Sequence, residues 1–226
     1  MVSRTLSLTR SRWIGVLLIS SLILAIIAIL IVGLFTPEEV RFDLMYSSPD
    51  RVAASQALAP FRGVLTVSDT LAFLAFAVIA VGLFLLTPAL GQPSTRLFST
   101  VGGGLGAIAI AAWAIATYQR LALALVDIHQ TSDIPPLGGI VGLDIAAQRL
   151  AIMCLTASVA FYGFSLFRSG ILRRIGIVTA VLNGMVAVAA LVLFLQSSGF
   201  PPIVLIVCTV AMGVGIMLRR EREGLL

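Results

Sequence analysis

Six ionisable side chains stand where chemistry could gather in this sequence: Asp69, Arg120, Asp127, His129, Asp144 and Arg149. Each lies toward the same end of an apolar run or in the loop beyond it. Asp127 and His129 form an Asp-x-His pair, and Asp133 follows closely. Asp144 and Gln148 are four residues apart and share a helix face. Arg120 and Asp127 are seven apart and also share one. Charged groups at membrane depth are costly, and they are usually paired or functional. The set therefore reads as a polar cup on one side of the molecule. Three chemistries compete for it. The first is a set of interhelical ion pairs and helix caps, with Asp69–Arg120 and Asp144–Arg149 as the natural couples. The second is a pocket for a small polar or cationic ligand. The third is a metal or acid–base site built on His129 with Asp127, Asp133 or Asp144. A single histidine in an acidic loop is most often solvated, so the structural reading leads.

Several functions are excluded by residue type. All 15 basic residues are arginine. Without lysine there is no Schiff base to retinal or pyridoxal phosphate, and no P-loop lysine. One histidine rules out bis-histidine haem. No serine has a histidine and an acid at triad spacing. The two cysteines, Cys154 and Cys208, each sit inside an apolar run and read as small buried residues. No cofactor and no metal are expected.

The elements that position these residues follow from composition. Of 226 residues, 59% are hydrophobic and 11% charged, with mean hydropathy +1.10. A soluble domain carries about a quarter charged residues. This chain reads as an integral membrane protein. Its apolar runs cover about 13–35, 65–86, 97–126, 148–167, 175–195 and 201–218, each long enough to cross a bilayer as a helix. The first run exceeds a signal-peptide core and reads as a retained span. Outer loops are placed at 36–64 and 127–147, and Arg51 to Ala59 as a short surface helix in the first of them. The turn Arg168-Ser169-Gly170-Ile171-Leu172-Arg173-Arg174 separates runs four and five. Short arginine-rich loops stay cytoplasmic, which fixes that turn inside. Ten arginines then fall on inner segments and five on outer ones, with the acids concentrated outside. The expected fold is an all-α bundle of six transmembrane helices with both termini cytoplasmic, one domain over 1–226.

Smaller signals refine this. Gly102 and Gly106 match the small-xxx-small pattern of close helix packing. A nucleotide-binding glycine loop would need a preceding strand, and none is present. Asn183 and Tyr162 are expected to bond between helices, and Thr156, Ser158 and Thr179 to their own backbone. Runs two and four share a likeness, Gly82-Leu83-Phe84-Leu85-Leu86 and Gly163-Phe164-Ser165-Leu166-Phe167, which reads as a repeated hairpin.

The stretch Phe161-Tyr162-Gly163-Phe164-Ser165-Leu166-Phe167-Arg168-Ser169-Gly170-Ile171-Leu172-Arg173-Arg174-Ile175-Gly176 resembles a signature of an uncharacterised bacterial membrane family, domain of unknown function forty-three eighty-six. That family shows Phe-Arg-Ser-Gly, then a Leu-Pro-Arg turn and a Leu-Gly start to the next span. Arg173 stands here where the proline is usual. Phe61-Arg62 followed by Asp69 is also similar. The resemblance covers roughly 40–218 and implies a small polytopic membrane protein with no known activity, substrate or cofactor.

The expected function is that of a non-enzymatic structural or accessory protein of the bacterial cytoplasmic membrane. Arginine-only usage fits a GC-rich bacterial genome. Its partners are the bilayer and other membrane subunits, and the basic excess at helix ends calls for no nucleic acid. The alternative is a small-molecule transporter or ligand binder using the outer cup. Charges near helix ends, rather than at mid-membrane, count against transport.

Overall fold

Long apolar runs punctuated by glycine, proline and arginine turns fold as helices. The computed structural model describes residues 8–37, 56–57, 59–90, 93–125, 137–194 and 203–223. Six long helices make up the described fold: α1 (Leu8–Phe35), α2 (Arg62–Leu86), α3 (Pro93–Leu125), α4 (Leu137–Ser169), α5 (Arg173–Phe194) and α6 (Ile203–Glu223). Short 3-10 turns cover Ala59–Phe61 before α2 and Thr87–Leu90 after it. No strand occurs among the described residues.

Of the boundaries, the start of α4 differs most from expectation. α4 begins at Leu137, inside the stretch read as outer loop. Gly138 and Gly139 looked like loop punctuation, but glycine is common inside membrane helices, where neighbours support the backbone. Most of the surface helix expected over 51–59 lies outside the described residues, and Pro60 sits within a 3-10 turn.

Each helix packs on its sequence neighbour, and α6 returns to α1, so the six close into a ring. α4 also reaches inward to α2 and α6. Its apolar window is 56% buried, against 28% for those of α1 and α3. Its buried stripe, Ala147, Ala151, Leu155, Val159, Tyr162 and Leu166, repeats every three or four residues and forms the axis of the core with Ile14, Leu18, Ile79, Leu83, Leu205 and Met212.

The outside is as apolar as the inside. Val67, Leu74 and Val81 point outward from α2; Leu97, Ile108 and Ile115 from α3; Val178, Val181 and Met185 from α5. Such faces recur at seven-residue spacing on helices that already bury another face. α3 inverts the usual sizes, burying Ala109, Ala112 and Ala116 while exposing Ile108 and Ile115. Helices in lipid gain little from hiding large side chains, and approach each other through small ones. Four helices are long and apolar enough to cross a membrane: Arg12–Phe35, Ala59–Leu86, Pro93–Gln119 and Ala146–Ser169. Val204–Leu218 is a shorter apolar helix. The chain is thus a helical, multi-pass membrane protein.

Glycine sits in nearly every seam. A methyl group added at Gly176 would lie 2.6 Å from the Phe167 nitrogen and 2.7 Å from the Gly163 carbonyl oxygen. One at Gly163 would lie 2.9 Å from the Gly176 carbonyl oxygen. The pair presses α4 and α5 together backbone to backbone. Gly15 and Gly213 do the same for α1 and α6, each 3.0–3.1 Å from the other's carbonyl oxygen by the same measure. Gly82 seats on Leu18 of α1, and Gly215 on Ile175 and Leu172. The likeness between Gly82 and Gly163 does not extend to packing, since one faces α1 and the other α5.

Gly176→Ala cannot be absorbed by a flexible side chain, because its neighbours are backbone. It is expected to destabilise by about 1–3 kcal/mol, the usual cost of overpacking. Gly184→Ala, where a methyl meets nothing within 4 Å, is expected to be neutral or slightly stabilising. Thermal unfolding of the purified variants in detergent checks the contrast.

Candidate functional site

Three of the six candidates have described side chains. Asp69 lies in the second turn of α2 and is half-buried. Asp144 lies in α4, 1% exposed, just before that helix's apolar window. Arg149 follows one turn later and is half-buried. All three engage an interaction partner within the protein. Arg120 is placed on α3, but its side chain lies outside the described set. Asp127, His129 and Asp133 lie outside the described residues altogether. Among the described residues, no group of three metal-ligating side chains comes together. Asp69 and Asp144 are carried by different helices, α2 and α4, and each is tied to its surroundings rather than displayed.

Three core hydroxyls, those of Tyr162, Ser158 and Ser68, join one element to another, while Ser21, Thr156, Ser165 and Thr209 bond their own helices. The Tyr162 phenol, fully buried, lies 2.6 Å from the Thr87 hydroxyl, so α4 is bonded to the turn that follows α2. Gly102 and Gly103 make this possible. A methyl at Gly102 would stand 3.0 Å from the Tyr162 ring, and one at Gly103 3.3 Å from its hydroxyl. Ser158 donates to the Gly102 carbonyl at 2.7 Å. It was expected to bond its own helix. The close approach at Gly102 and Gly106 brings a foreign carbonyl nearer than its own. Ser68 likewise donates across to Ala28 of α1 at 3.0 Å. Thr156 follows expectation, donating to Ile152 and Met153 of its own helix at 2.8 and 3.0 Å.

Asn183 donates to the Thr179 carbonyl of its own helix at 3.1 Å, and its Oδ1 is buried without a hydrogen-bond partner among the described residues. It was expected to bond between helices, and its hydrogen bond stays within α5. Cys154 and Cys208 are both free thiols and buried.

A recess of about 210 Å³, counting space open to the outside, lies between α2, α3 and α4. Phe76 and Trp113 form its wall, their ring centroids 4.3 Å apart, and alanines and isoleucines complete it. It carries no charged group. The geometry therefore supplies hydrogen bonds that hold helices at fixed separations. Among the described residues no acid, base and nucleophile come together.

The signal for Tyr162–Thr87 was in the sequence only in part. The glycines at 102–104 announce a close seam, but nothing in the order of residues says which hydroxyl fills it. Tyr162→Phe and Thr87→Val are each expected to lower stability, and the double variant to fall short of their sum by roughly 0.6–1.5 kcal/mol, the range for a hydrogen bond between membrane helices. A double-mutant cycle by thermal unfolding measures it.

Against protein-family models, curated proteins and solved structures, the chain has no match.

Proposed function

We propose that this chain is a six-span protein of the bacterial cytoplasmic membrane, with both termini inside, and that it acts as a non-enzymatic structural or accessory subunit. One observation carries the reading. The helices close on glycine seams through the inner half of the bundle, and the hydroxyls of Tyr162, Ser158 and Ser68 bond one element to the next. A protein built this way is a rigid body in the bilayer, suited to holding partners or lipids at its surface.

The six-span count gains support from helix length. α5 has 22 residues, about 33 Å at the usual rise, and α6 has 21, its apolar part being Val204–Leu218. The hydrocarbon core is about 30 Å thick. α5 also presents Val178, Val181, Met185 and Val188 outward, a surface suited to lipid. The arginines of the turn between α4 and α5 argue for the cytoplasmic side. The resemblance to the uncharacterised bacterial family rests on the same hairpin and agrees with this arrangement.

A second reading, ligand binding at the outer end, is favoured by the burial of Asp144. Its position outside the apolar window of α4, with a partner in place, fits a structural carboxylate better.

The two natural cysteines test the choice. Cys154 on α4 and Cys208 on α6 are 6% and 5% exposed. In intact membranes a charged, water-borne thiol reagent is expected to modify neither, and to modify both after denaturation. Labelling of Cys154 in the native protein would reveal an aqueous path and favour transport. Orientation is tested separately. Alkaline phosphatase fused after Arg174 should be inactive in a bacterial host, and fused after Asp133 active; the reverse pattern would refute the topology.

A further inference from the structure

The arginines of the α4–α5 turn do more than set topology. Arg168 and Arg173 are exposed, and each lies over an aromatic ring, Arg168 5.9 Å from the Phe164 centroid and Arg173 5.6 Å from that of Phe167. The rings are not isolated. Phe98 of α3 meets Phe164 edge-on at 4.7 Å and stacks near Phe161 at 6.4 Å, while Phe164 and Phe167 are 6.1 Å apart. All four phenylalanines are half-exposed. They form an aromatic ridge along the α3–α4 seam, running up to a cationic rim. Leu97, 68% exposed, extends the apolar side, and Arg96 and Arg174 are exposed at the same end of the bundle.

The turn is fixed in shape. Gly170 takes φ +72°, a left-handed conformation that other residues rarely adopt, and its N–H donates to the Phe167 carbonyl at 3.2 Å. The Ser169 hydroxyl donates to Leu166 and accepts from the Ile171 N–H, at 3.0 and 3.3 Å. The Gly163–Gly176 seam clamps the two helices just beyond it. The two guanidinium groups are thus held on a rigid hairpin.

A guanidinium stacked on a ring face keeps its N–H donors for another acceptor. Among the described side chains neither Arg168 nor Arg173 pairs with an acid, and Asp69 and Asp144 lie toward the opposite end of the bundle. Two exposed arginines set over an apolar ridge at the membrane boundary match a molecule with a phosphate at one end and acyl chains at the other. We propose that the α4–α5 turn is a binding site for an anionic phospholipid of the inner leaflet. Arg168 and Arg173 hold its phosphate, and its acyl chain lies on Phe98, Phe161 and Phe164. Basic clusters beside membrane helices are a recognised recipe for such headgroups.

The proposal rests on the reading that places this turn on the cytoplasmic side. Binding in detergent does not depend on orientation, so the two can fail separately. Native mass spectrometry of the full chain in detergent, titrated with phosphatidylglycerol or phosphatidylcholine, provides the test. Wild type is expected to retain phosphatidylglycerol preferentially. The double variant Arg168→Gln/Arg173→Gln should lose roughly thirtyfold in affinity for it, with phosphatidylcholine unaffected. Arg168→Lys/Arg173→Lys, which keeps charge and guards against a folding defect, should retain part of the preference. Arg12→Gln removes an exposed arginine from α1 and should change nothing. Equal retention of the two lipids by wild type would overturn the proposal. So would an equal loss in the Arg12 variant, which would show that net charge alone is read.

Discussion

The structure depends on backbones approaching each other more closely than any side chain would permit. In lipid, apolar side chains gain little by leaving their surroundings, so the drive to bury large residues that shapes soluble cores is weak. Attraction must come from close van der Waals contact and from hydrogen bonds across the seam. Both need the helix axes brought near, and glycine is what allows it. At Gly163–Gly176 and Gly15–Gly213 carbonyl oxygens stand where a methyl would have to be. At Gly102 and Gly106 the gap is filled instead by Tyr162 and Ser158 from α4. The hydrogen bonds of Tyr162 and Ser158 then follow from the glycines rather than the reverse. Had α3 carried alanine at 102, the tyrosine ring would be displaced, and with it the contact to Thr87.

This distribution gives the bundle two unlike ends. The end with the α4–α5 turn is stitched by glycine pairs, capped by a tight turn and rimmed by arginine. The opposite end holds Asp69, Asp144 and a longer α4 that rises beyond its apolar window. Aromatic rings are shared between the two, with Phe76 and Trp113 in the recess and the Phe98–Phe167 ridge beside the basic turn.

Much of this was written in the residue order. Apolar runs of bilayer length gave the helices, and Arg168 to Arg174 gave the hairpin that joins α4 and α5. Gly102 and Gly106 announced a close seam because their spacing puts both on one face. Other features could not be read. Gly15 and Gly213 are nearly two hundred residues apart, and no local pattern pairs them. Ser158 looked like a residue that bonds its own helix, and only proximity to Gly102 redirects it. Gly138 and Gly139 hid the first turns of α4, since glycine means loop in water and tolerable helix in a membrane. The outer cup was inferred from depth alone. Depth places Asp69, Asp144 and Arg149 on one side but does not say that they meet.

The central claim is that the helices are joined in sequence around a ring by these seams. Disulfide trapping tests it most directly. A β-carbon at Gly106 would lie 3.8 Å from that of Ala80, and one at Gly82 3.7 Å from that of Leu17, both within the usual span of a disulfide. In a background lacking Cys154 and Cys208, the pairs Ala80→Cys/Gly106→Cys and Leu17→Cys/Gly82→Cys should cross-link on mild oxidation in native membranes. The pair Ala80→Cys/Gly184→Cys should not. Efficient linkage of the first two pairs would place α1, α2 and α3 side by side at these depths. Failure of both, with the protein folded and its thiols present, would mean that the helices do not meet at their glycines, and the account would not stand.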